Sequence, residues 1–362
     1  MATLAQEYGA ALVALEHRFY GESIPNGNSK TENLKYLTVE QALADLNSFT
    51  QWYKETEKLD SSKWFVFGGS YPGGLASWYR AAYPDASVGS LSSSGVVNPI
   101  IDFYQFDEQV SAALGNECGT RLKKISRAFD KATESKDGLK GAFKKFDCED
   151  DMSEVDFLYM IADGWSMADQ YGSKSKLCSA IMAVPDDSSD ELLMQTYADF
   201  NNNLWGKQFC SQGFYNTAAL ADPERWDSNA RAWRWQTCYQ VAWFNTAPAS
   251  GSIRSHKVNL EYHLQQCAAV FGEKMVPAVA DINSQFGGNM PVAHKVFYSD
   301  FADDPWQRAS VNYPPAEDQP YSLAMCNDCG HCMDLHAPSD SDPVQLQETR
   351  KDFEFYLKKW LA

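Results

Sequence analysis

The sequence lacks any long apolar run and is poor in positive charge. No stretch approaches the roughly 18 apolar residues that a membrane-spanning helix needs, so the sequence predicts no membrane span. Lysine and arginine number 31 against 48 aspartate and glutamate residues, which gives a formal net charge of −17. Because binding to phosphates requires a basic face, this composition argues against a nucleic-acid partner.

Two common marks of the secretory route are also absent. The first residues, MATLAQEYGAALVALEHRF, have no basic start, and their apolar part leads into EHR and not into a small-residue cleavage site. They are therefore not typical of a signal peptide. No Asn-x-Ser/Thr acceptor for N-glycosylation occurs in the chain. Neither feature supports a secretory location.

Cysteines, by contrast, are plentiful. The nine are Cys118, Cys148, Cys178, Cys210, Cys238, Cys267, Cys326, Cys329 and Cys332. The first six are widely spaced, which favours disulfides in an oxidising compartment over a metal cage; buried free thiols are the alternative. The odd total leaves at least one thiol unpaired.

The first hundred residues alternate between strand and helix patterns. Residues 10–16 (AALVALE) and 64–67 (WFVF) are short apolar runs that predict buried strands, and SVGSLSSSG predicts a third. Between the first two, Thr38 and Gln41 form a capping-box pattern that begins an amphipathic helix over 39–56. A second helical pattern follows from Pro72 to Tyr83. This order predicts an α/β protein with a parallel sheet.

The rest of the chain divides into an insertion and a return to the sheet. Long helical stretches and most cysteines fill the middle, whereas HKVFYSD at 294–300 predicts a strand and 344–361 a last helix. A chain of 362 residues suits one large domain with an insertion. We therefore expect residues 1–105 and 286–362 to form the α/β domain and residues 106–285 a helical cap.

The stretch FVFGGSYPGG at 65–74 has the order that an activated serine requires. A nucleophilic serine stands clear of the sheet where a strand turns sharply into a helix, and small residues must flank such an elbow. Ser70 follows Gly68 and Gly69, and the backbone N–H of Tyr71 would face the developing oxyanion. The usual pattern is Gly-x-Ser-x-Gly, whereas here Pro72 takes the last place. The alternative is a glycine-rich turn with an uninvolved serine.

The C-terminal part offers the other two members of a triad in the order Ser, acid, His. Asp304 follows a strand in YSDFADDPW, and His331 lies in CGHCMDL. His331 would take and return the proton of Ser70, and Asp304 would hold the imidazole tautomer. Asp300 and Asp303 are rival acids. His17 fits poorly because it precedes the serine, and His256 and His263 because they lie in the insertion.

Several segments together resemble one peptidase family. LEHRFYGES, FGGSYPGGLASWYRAAYP, DPW, GHCMDL, WRWQTC and CAAVFG are similar to segments of lysosomal Pro-Xaa carboxypeptidase, dipeptidyl peptidase II and thymus-specific serine protease. The His-Cys-Met-Asp-Leu form most resembles the thymus-specific branch. The similarity runs over nearly the whole chain.

This resemblance implies an α/β-hydrolase fold with a helical cap and a Ser-Asp-His triad at Ser70, Asp304 and His331. It also implies peptide substrates cleaved after proline, no cofactor, and a lysosomal, endosomal or secreted setting. Dimers occur in the family, so a homodimer is an expectation.

Two departures from the family bear on substrate binding. Gln240, in QTCYQ, stands where relatives carry an acid, which would alter recognition of a substrate terminus. Gly74 stands where some relatives carry a methionine that lines the proline pocket, which would widen that pocket. Trp306 would stack on a proline ring, with core packing as the alternative.

The start of the chain is the largest departure. Relatives begin with a signal peptide, further strands and a glycine-rich loop that donates the second oxyanion N–H. None of these is present in this sequence, and we expect a gap in the sheet between the strands at 10–16 and 64–67. The hypothesis is that the chain is a truncated form with the first strands of the fold missing and with impaired activity.

Three rival functions remain open at this point. Cys326, Cys329 and Cys332 have the spacing of thiolate metal ligands, but no second ligand cluster accompanies them. Cys326 and Cys329 would instead pair and leave Cys332 free beside His331. A non-catalytic binding protein on a hydrolase scaffold and a lipase or esterase are the other two.

Overall fold

The structure is a computed structural model that describes residues 1–148, 152–206, 209–210, 213–224 and 228–362. The strands are β1 (Phe65–Gly69), β2 (Gly89–Ser93), β3 (Ile100–Asp102), β4 (Ala242–Phe244), β5 (Val296–Phe301) and β6 (Tyr321–Ala324). The helices are α1 (Ala2–Glu7), α2 (Thr31–Leu34), α3 (Val39–Thr56), α4 (Tyr71–Ala82), α5 (Gln105–Thr133), α6 (Lys136–Lys145), α7 (Glu154–Gln170), α8 (Lys174–Met182), α9 (Asp190–Trp205), α10 (Thr217–Ala221), α11 (Ser228–Gln236), α12 (Leu260–Phe271), α13 (Val279–Phe286) and α14 (Val344–Leu361).

The chain divides into two compact units. The first contains residues 1–18, 36–99 and 278–362, and the second contains residues 19–35 and 100–277. The sequence analysis assigned residues 19–35 to the α/β domain. In the structure these residues belong to the second unit, together with its helices.

A parallel sheet with the order β1-β2-β5-β6 forms the centre of the first unit. Val66 lies beside Ser90, Ser92 beside Tyr298, and Ser299 beside Ser322. Since all four strands run in one direction, their carboxyl ends meet at the same edge, where ligand sites of open α/β sheets lie. The predictions of a parallel α/β sheet and of strands near 64–67, 87–95 and 294–300 are confirmed.

Apolar side chains cover both faces of this sheet. One cluster joins Leu91 and Phe297 of the strands to Phe353, Leu357 and Trp360 of α14. Another, centred on Val296 and Tyr298, includes Val97, Ala293 and Val311. A parallel sheet buries both faces, so the serines of β2 are buried together with the apolar side chains of its neighbours.

The helix α3 begins as its capping box predicts. The side chain of Thr38 accepts a hydrogen bond of 3.2 Å from the backbone N–H of Gln41. Such a cap satisfies an N–H group that has no partner within the helix. The predicted helices over 39–56, 72–83 and 344–361 are confirmed as α3, α4 and α14 within one residue at each end.

The predicted strand at 10–16 is wrong. This segment has no regular secondary structure, and its side chains are mostly exposed, including Leu12 and Leu15. It lines a cavity of about 440 Å³ together with α3, β1 and α4. An apolar run becomes a strand only when its backbone groups pair with a neighbouring strand, and on this side of β1 they do not.

The second unit consists mainly of helices. The long α5 contacts α6, α7, α8 and α9, and the short strands β3 and β4 pair in parallel. At its centre the Arg254 guanidinium, fully buried, donates to both carboxylate oxygens of Asp107 at 2.6 and 2.9 Å. Burial raises the pKa of the Asp163 carboxyl beside this pair to about 6, although the charge of Arg254 opposes that shift.

Disulfides account for all but one of the cysteines. They join Cys118 to Cys178, Cys148 to Cys210, Cys238 to Cys267, and Cys326 to Cys329. The free cysteine among the described residues is Cys332, which is half-buried. The expectation of disulfides is therefore met, and three of the four stabilise the helical unit.

Candidate active site

Ser70 lies at the apex of the turn between β1 and α4. Its backbone has φ 63° and ψ −130°, a conformation that non-glycine residues rarely adopt and that costs about 1–3 kcal/mol. Two neighbours must be small for the turn to close. A Cβ on Gly68 would lie 1.9 Å from the carbonyl oxygen of Pro72, and one on Gly69 would lie 2.9 Å from Cys332 Sγ.

Backbone hydrogen bonds hold Ser70 in this strained geometry. Its N–H donates to the Ser93 carbonyl at 2.9 Å, and its own carbonyl accepts from the N–H groups of Gly74 at 3.1 Å and Val96 at 3.3 Å. The turn is thus fixed to both α4 and the end of β2. This is the strand–turn–helix context that a nucleophilic serine requires.

Asp304 and His331 meet at the same edge of the sheet. Oδ2 of Asp304 lies 2.8 Å from Nδ1 of His331, and both side chains are buried. The other oxygen, Oδ1, accepts from the Trp306 backbone N–H at 3.0 Å and begins the short helix Pro305–Ala309. The carboxylate therefore has a fixed orientation. It favours the imidazole tautomer with hydrogen on Nδ1 and the lone pair on Nε2.

The charges around His331 favour its protonated form. Burial alone lowers the pKa of the imidazole, but the Asp304 carboxylate and then Cys332 raise it well above its usual value. The imidazole is thus a strong proton acceptor, as a general base must be.

The two rival acids occupy different surroundings. Asp300 is fully buried at the end of β5, and its carboxyl makes no hydrogen bond of good geometry within the described residues. Burial, and then the charge of Asp304, raise the pKa of the Asp300 carboxyl well above its usual value. Asp303 is buried, and its backbone N–H donates to the Cys329 carbonyl at 3.1 Å. The acid bonded to His331 is Asp304.

Asp334 anchors the loop that carries His331, a role that the sequence pattern did not reveal. Its carboxylate accepts from the hydroxyls of Ser93 in β2 and of Ser299 in β5, the latter at 2.6 Å. Arg350 of α14 donates to the backbone carbonyls of Met333 and Asp334 at 2.9 and 3.2 Å. The only signal in the sequence was the acid within GHCMDL.

His17, which was set aside because of its position in the chain, also lies at this edge. Its Nε2 is 3.2 Å from the hydroxyl of Tyr71, the first residue of α4. The sequence held a signal for it in LEHRFYGES, but chain order gives no information about a residue outside the triad.

The candidate substrate-binding residues are distributed over both units. Trp306 is half-buried, and its ring centroid lies 6.4 Å from that of His331. Gly74 is buried, and a Cβ there would lie 2.8 Å from the Val96 carbonyl oxygen. Gln240 is buried in the second unit, in the π-helical turn Thr237–Val241 next to the Cys238–Cys267 disulfide.

Metal binding by the CNDCGHC segment finds no support in these contacts. Cys326 and Cys329 are paired, so neither offers a thiolate. In the described part of the chain, no three His, Cys, Asp or Glu side chains are arranged to hold a metal ion.

No helix of the described residues has the length and apolar character to cross a membrane.

Comparison with known proteins identifies the family. The sequence pattern of the serine carboxypeptidase S28 family matches residues 1–353. The probable serine protease EDA2 of Arabidopsis thaliana is 35% identical over 387 aligned residues, which cover 99% of this chain and 77% of the relative.

Two animal relatives are more distant. The thymus-specific serine protease of Mus musculus is 28% identical over 99% of this chain and 76% of its own length. The lysosomal Pro-X carboxypeptidase of Bos taurus is 26% identical over 100% of this chain and 77% of its own length. The resemblance seen in the sequence segments is confirmed: the chain belongs to the serine carboxypeptidase S28 family of serine peptidases.

Proposed function

We propose that this chain is a serine exopeptidase that cleaves peptides after proline with Ser70, His331 and Asp304 as its catalytic triad. The observation that carries the proposal is the buried hydrogen bond between His331 and Asp304, at the strand edge where Ser70 forms a strained elbow. Similarity to serine proteases over at least 99% of the chain favours a peptidase over a non-catalytic binding protein or an esterase.

The mechanism follows from these positions. Ser70 attacks the scissile carbonyl, His331 Nε2 takes its proton and later gives it to the leaving amine, and Asp304 stabilises the imidazolium that forms. The Tyr71 N–H, at the start of α4, would donate to the oxyanion, where the helix dipole also favours negative charge.

The preference for proline rests on Trp306 and on the named activity of one relative, the bovine Pro-X carboxypeptidase. Trp306 is half-buried beside His331, so its ring could stack against a proline ring in the substrate. Gly74 faces the Val96 carbonyl, where a Cβ would lie 2.8 Å from the oxygen, so we do not assign it to this pocket. Gln240 would contribute to recognition of the substrate terminus. A lysosomal or secreted location is proposed from the four disulfides and this relative.

A fluorophosphonate probe tests the nucleophile directly. We expect labelling of the wild-type chain, loss of labelling in Ser70→Ala, and retention in Ser90→Ala, which changes a buried β2 serine without a hydrogen-bond partner among the described residues. Labelling that survives in Ser70→Ala would overturn the proposal.

Matched substrates test the specificity. We would compare three sets of substrates. They are Xaa-Pro-Yaa peptides with free or blocked termini, the same peptides with alanine in place of proline, and a short acyl ester. Loss of cleavage on amidation of the C-terminus indicates a carboxypeptidase, and loss on acetylation of the N-terminus indicates a dipeptidyl peptidase. Faster cleavage of the alanine peptides, or cleavage of the ester without cleavage of any Xaa-Pro-Yaa peptide, would contradict a proline-directed peptidase.

A further inference from the structure

His17 and Arg18 are adjacent, and their side chains contact different elements of the first unit. Arg18 donates to both carboxylate oxygens of Asp45 in α3, at 2.5 and 2.6 Å. It also donates to the Tyr36 carbonyl at 2.8 Å and to Gln41 Oε1 at 2.9 Å. Bidentate guanidinium–carboxylate pairs have a well-defined geometry, so Arg18 fixes the backbone that carries His17.

The hydrogen bonds of His17 determine its tautomer. Nδ1 lies 2.8 Å from the carbonyl oxygen of Arg18, and a carbonyl can only accept, so Nδ1 carries the hydrogen. In the neutral ring Nε2 is then an acceptor, and the Tyr71 hydroxyl at 3.2 Å donates to it. The two rings are also in contact, with centroids 5.7 Å apart.

The surroundings of His17 favour this neutral form. Burial lowers the pKa of the imidazole below its usual value; the charge of Arg18 acts in the same direction, and the Arg18 carbonyl and Asp45 oppose it. Apolar residues of the 440 Å³ cavity, Pro72 among them, line the same region. Arg18 and Asp45 are charged groups that act on His17, and the Tyr71 hydroxyl faces it from α4.

We propose that His17 is a positioning residue of this peptidase: neutral His17 accepts the Tyr71 hydroxyl hydrogen and fixes the residue next to the nucleophile, and protonated His17 reverses the bond and lowers activity. This inference rests on the proposed function of Ser70. Tyr71 carries the proposed oxyanion N–H, so an error in its position affects the transition state more than the bound substrate.

Three variants separate this role from a purely structural one. His17→Phe removes the acceptor, Tyr71→Phe removes the donor, and His17→Gln keeps an acceptor that does not titrate. We expect His17→Phe and Tyr71→Phe to lower kcat about three- to tenfold at neutral pH, the effect of one hydrogen bond, with little change in KM. The double variant should be no slower than either single one, because both remove the same bond.

The pH profile gives the second measurement. At low pH the log of kcat/KM should fall with a slope of one in the wild type as His331 takes up a proton. The slope should steepen over a limited pH interval, to at most about 1.5, as His17 takes up a second proton, because the bond that is lost changes the rate only about three- to tenfold. His17→Gln should retain near wild-type kcat at neutral pH and a slope of one throughout. His294→Gln, which changes an exposed histidine of the same unit, is the control and should match the wild type.

The possible results are distinguishable. Additive losses in the double variant, or a steepening of the slope that persists in His17→Gln, would overturn the role of His17 while Ser70 still reacts with the fluorophosphonate probe. A wild-type chain that neither reacts with the probe nor cleaves peptides would overturn both proposals.

Discussion

Asp304 Oδ2 lies 2.8 Å from His331 Nδ1, and the same carboxylate accepts the Trp306 N–H through its other oxygen. One side chain therefore sets the imidazole tautomer and begins the helical turn that carries a proposed substrate-binding residue. This double role distinguishes Asp304 from the neighbouring acids and leads to the first prediction.

Asp304→Asn should abolish most activity without unfolding the protein. The amide oxygen can still accept the Trp306 N–H, but the amide nitrogen facing His331 Nδ1 selects the wrong imidazole tautomer. We expect kcat to fall about 10⁴-fold. Steady-state kinetics and the thermal unfolding midpoint measure the two effects.

Asp303→Asn is the matched control for that variant, since it changes the adjacent buried carboxyl and leaves the bond to His331 intact. Its kcat should stay within about tenfold of wild type. Equal losses in the two variants would show that Asp304 has no special role.

The pH dependence of kcat/KM should report the raised pKa of His331. His331 must be neutral to act as a base, so activity is lost as pH falls through its pKa. The midpoint of the low-pH limb of the profile should therefore lie above the usual histidine pKa of about 6.5. Cys332→Ala removes one of the interactions that raise the pKa and should move the limb to lower pH. An unchanged limb in Cys332→Ala would show that the thiol does not influence the imidazole.

Alkylation of Cys332 should inactivate the enzyme. The thiol is half-buried, and its sulfur lies 2.9 Å from the place where a Cβ on Gly69 would sit, directly before Ser70. An added group must displace either the elbow or the loop that carries His331. We expect time-dependent loss of activity with iodoacetamide in the wild type and none in Cys332→Ala. If mass spectrometry shows that Cys332 is completely alkylated and the protein keeps full activity, this prediction is wrong.

Sequence patterns predicted the parts of the fold that depend on local residues. The glycines before Ser70 indicated the elbow because that turn leaves no room for a Cβ, and Thr38 with Gln41 gave the start of α3. The strand predicted at 10–16 failed because a strand depends on a distant partner, and an apolar run does not show whether that partner is present.

Residues that act through distant contacts were harder to find. Asp334 binds serines of two strands that are far apart in the chain, and only the fold brings them together. His17 was excluded because a triad histidine follows its serine, a rule that says nothing about a residue holding Tyr71. Composition and spacing indicate the proposed reacting groups more readily than the groups proposed to position them.

The buried carboxyl of Asp300 should make the protein less stable as pH rises. Its pKa is raised in the folded state, above the value of about 3.9 expected when unfolded, so the folded state holds this proton more tightly. The folded state is then favoured at low pH, and stability is lost as pH rises from the unfolded pKa towards the folded one.

Asp300→Asn keeps the shape of the side chain and removes this titration. We expect its thermal unfolding midpoint to differ little from wild type near pH 4 and to exceed it increasingly towards pH 7, because the wild-type folded state holds a proton that the unfolded chain releases. Asp318→Asn, which changes an exposed carboxyl paired with His294, should give no such pH-dependent gain. A constant difference between Asp300→Asn and wild type across this range would show that Asp300 does not titrate there. Its raised pKa would then not contribute to the pH dependence of stability.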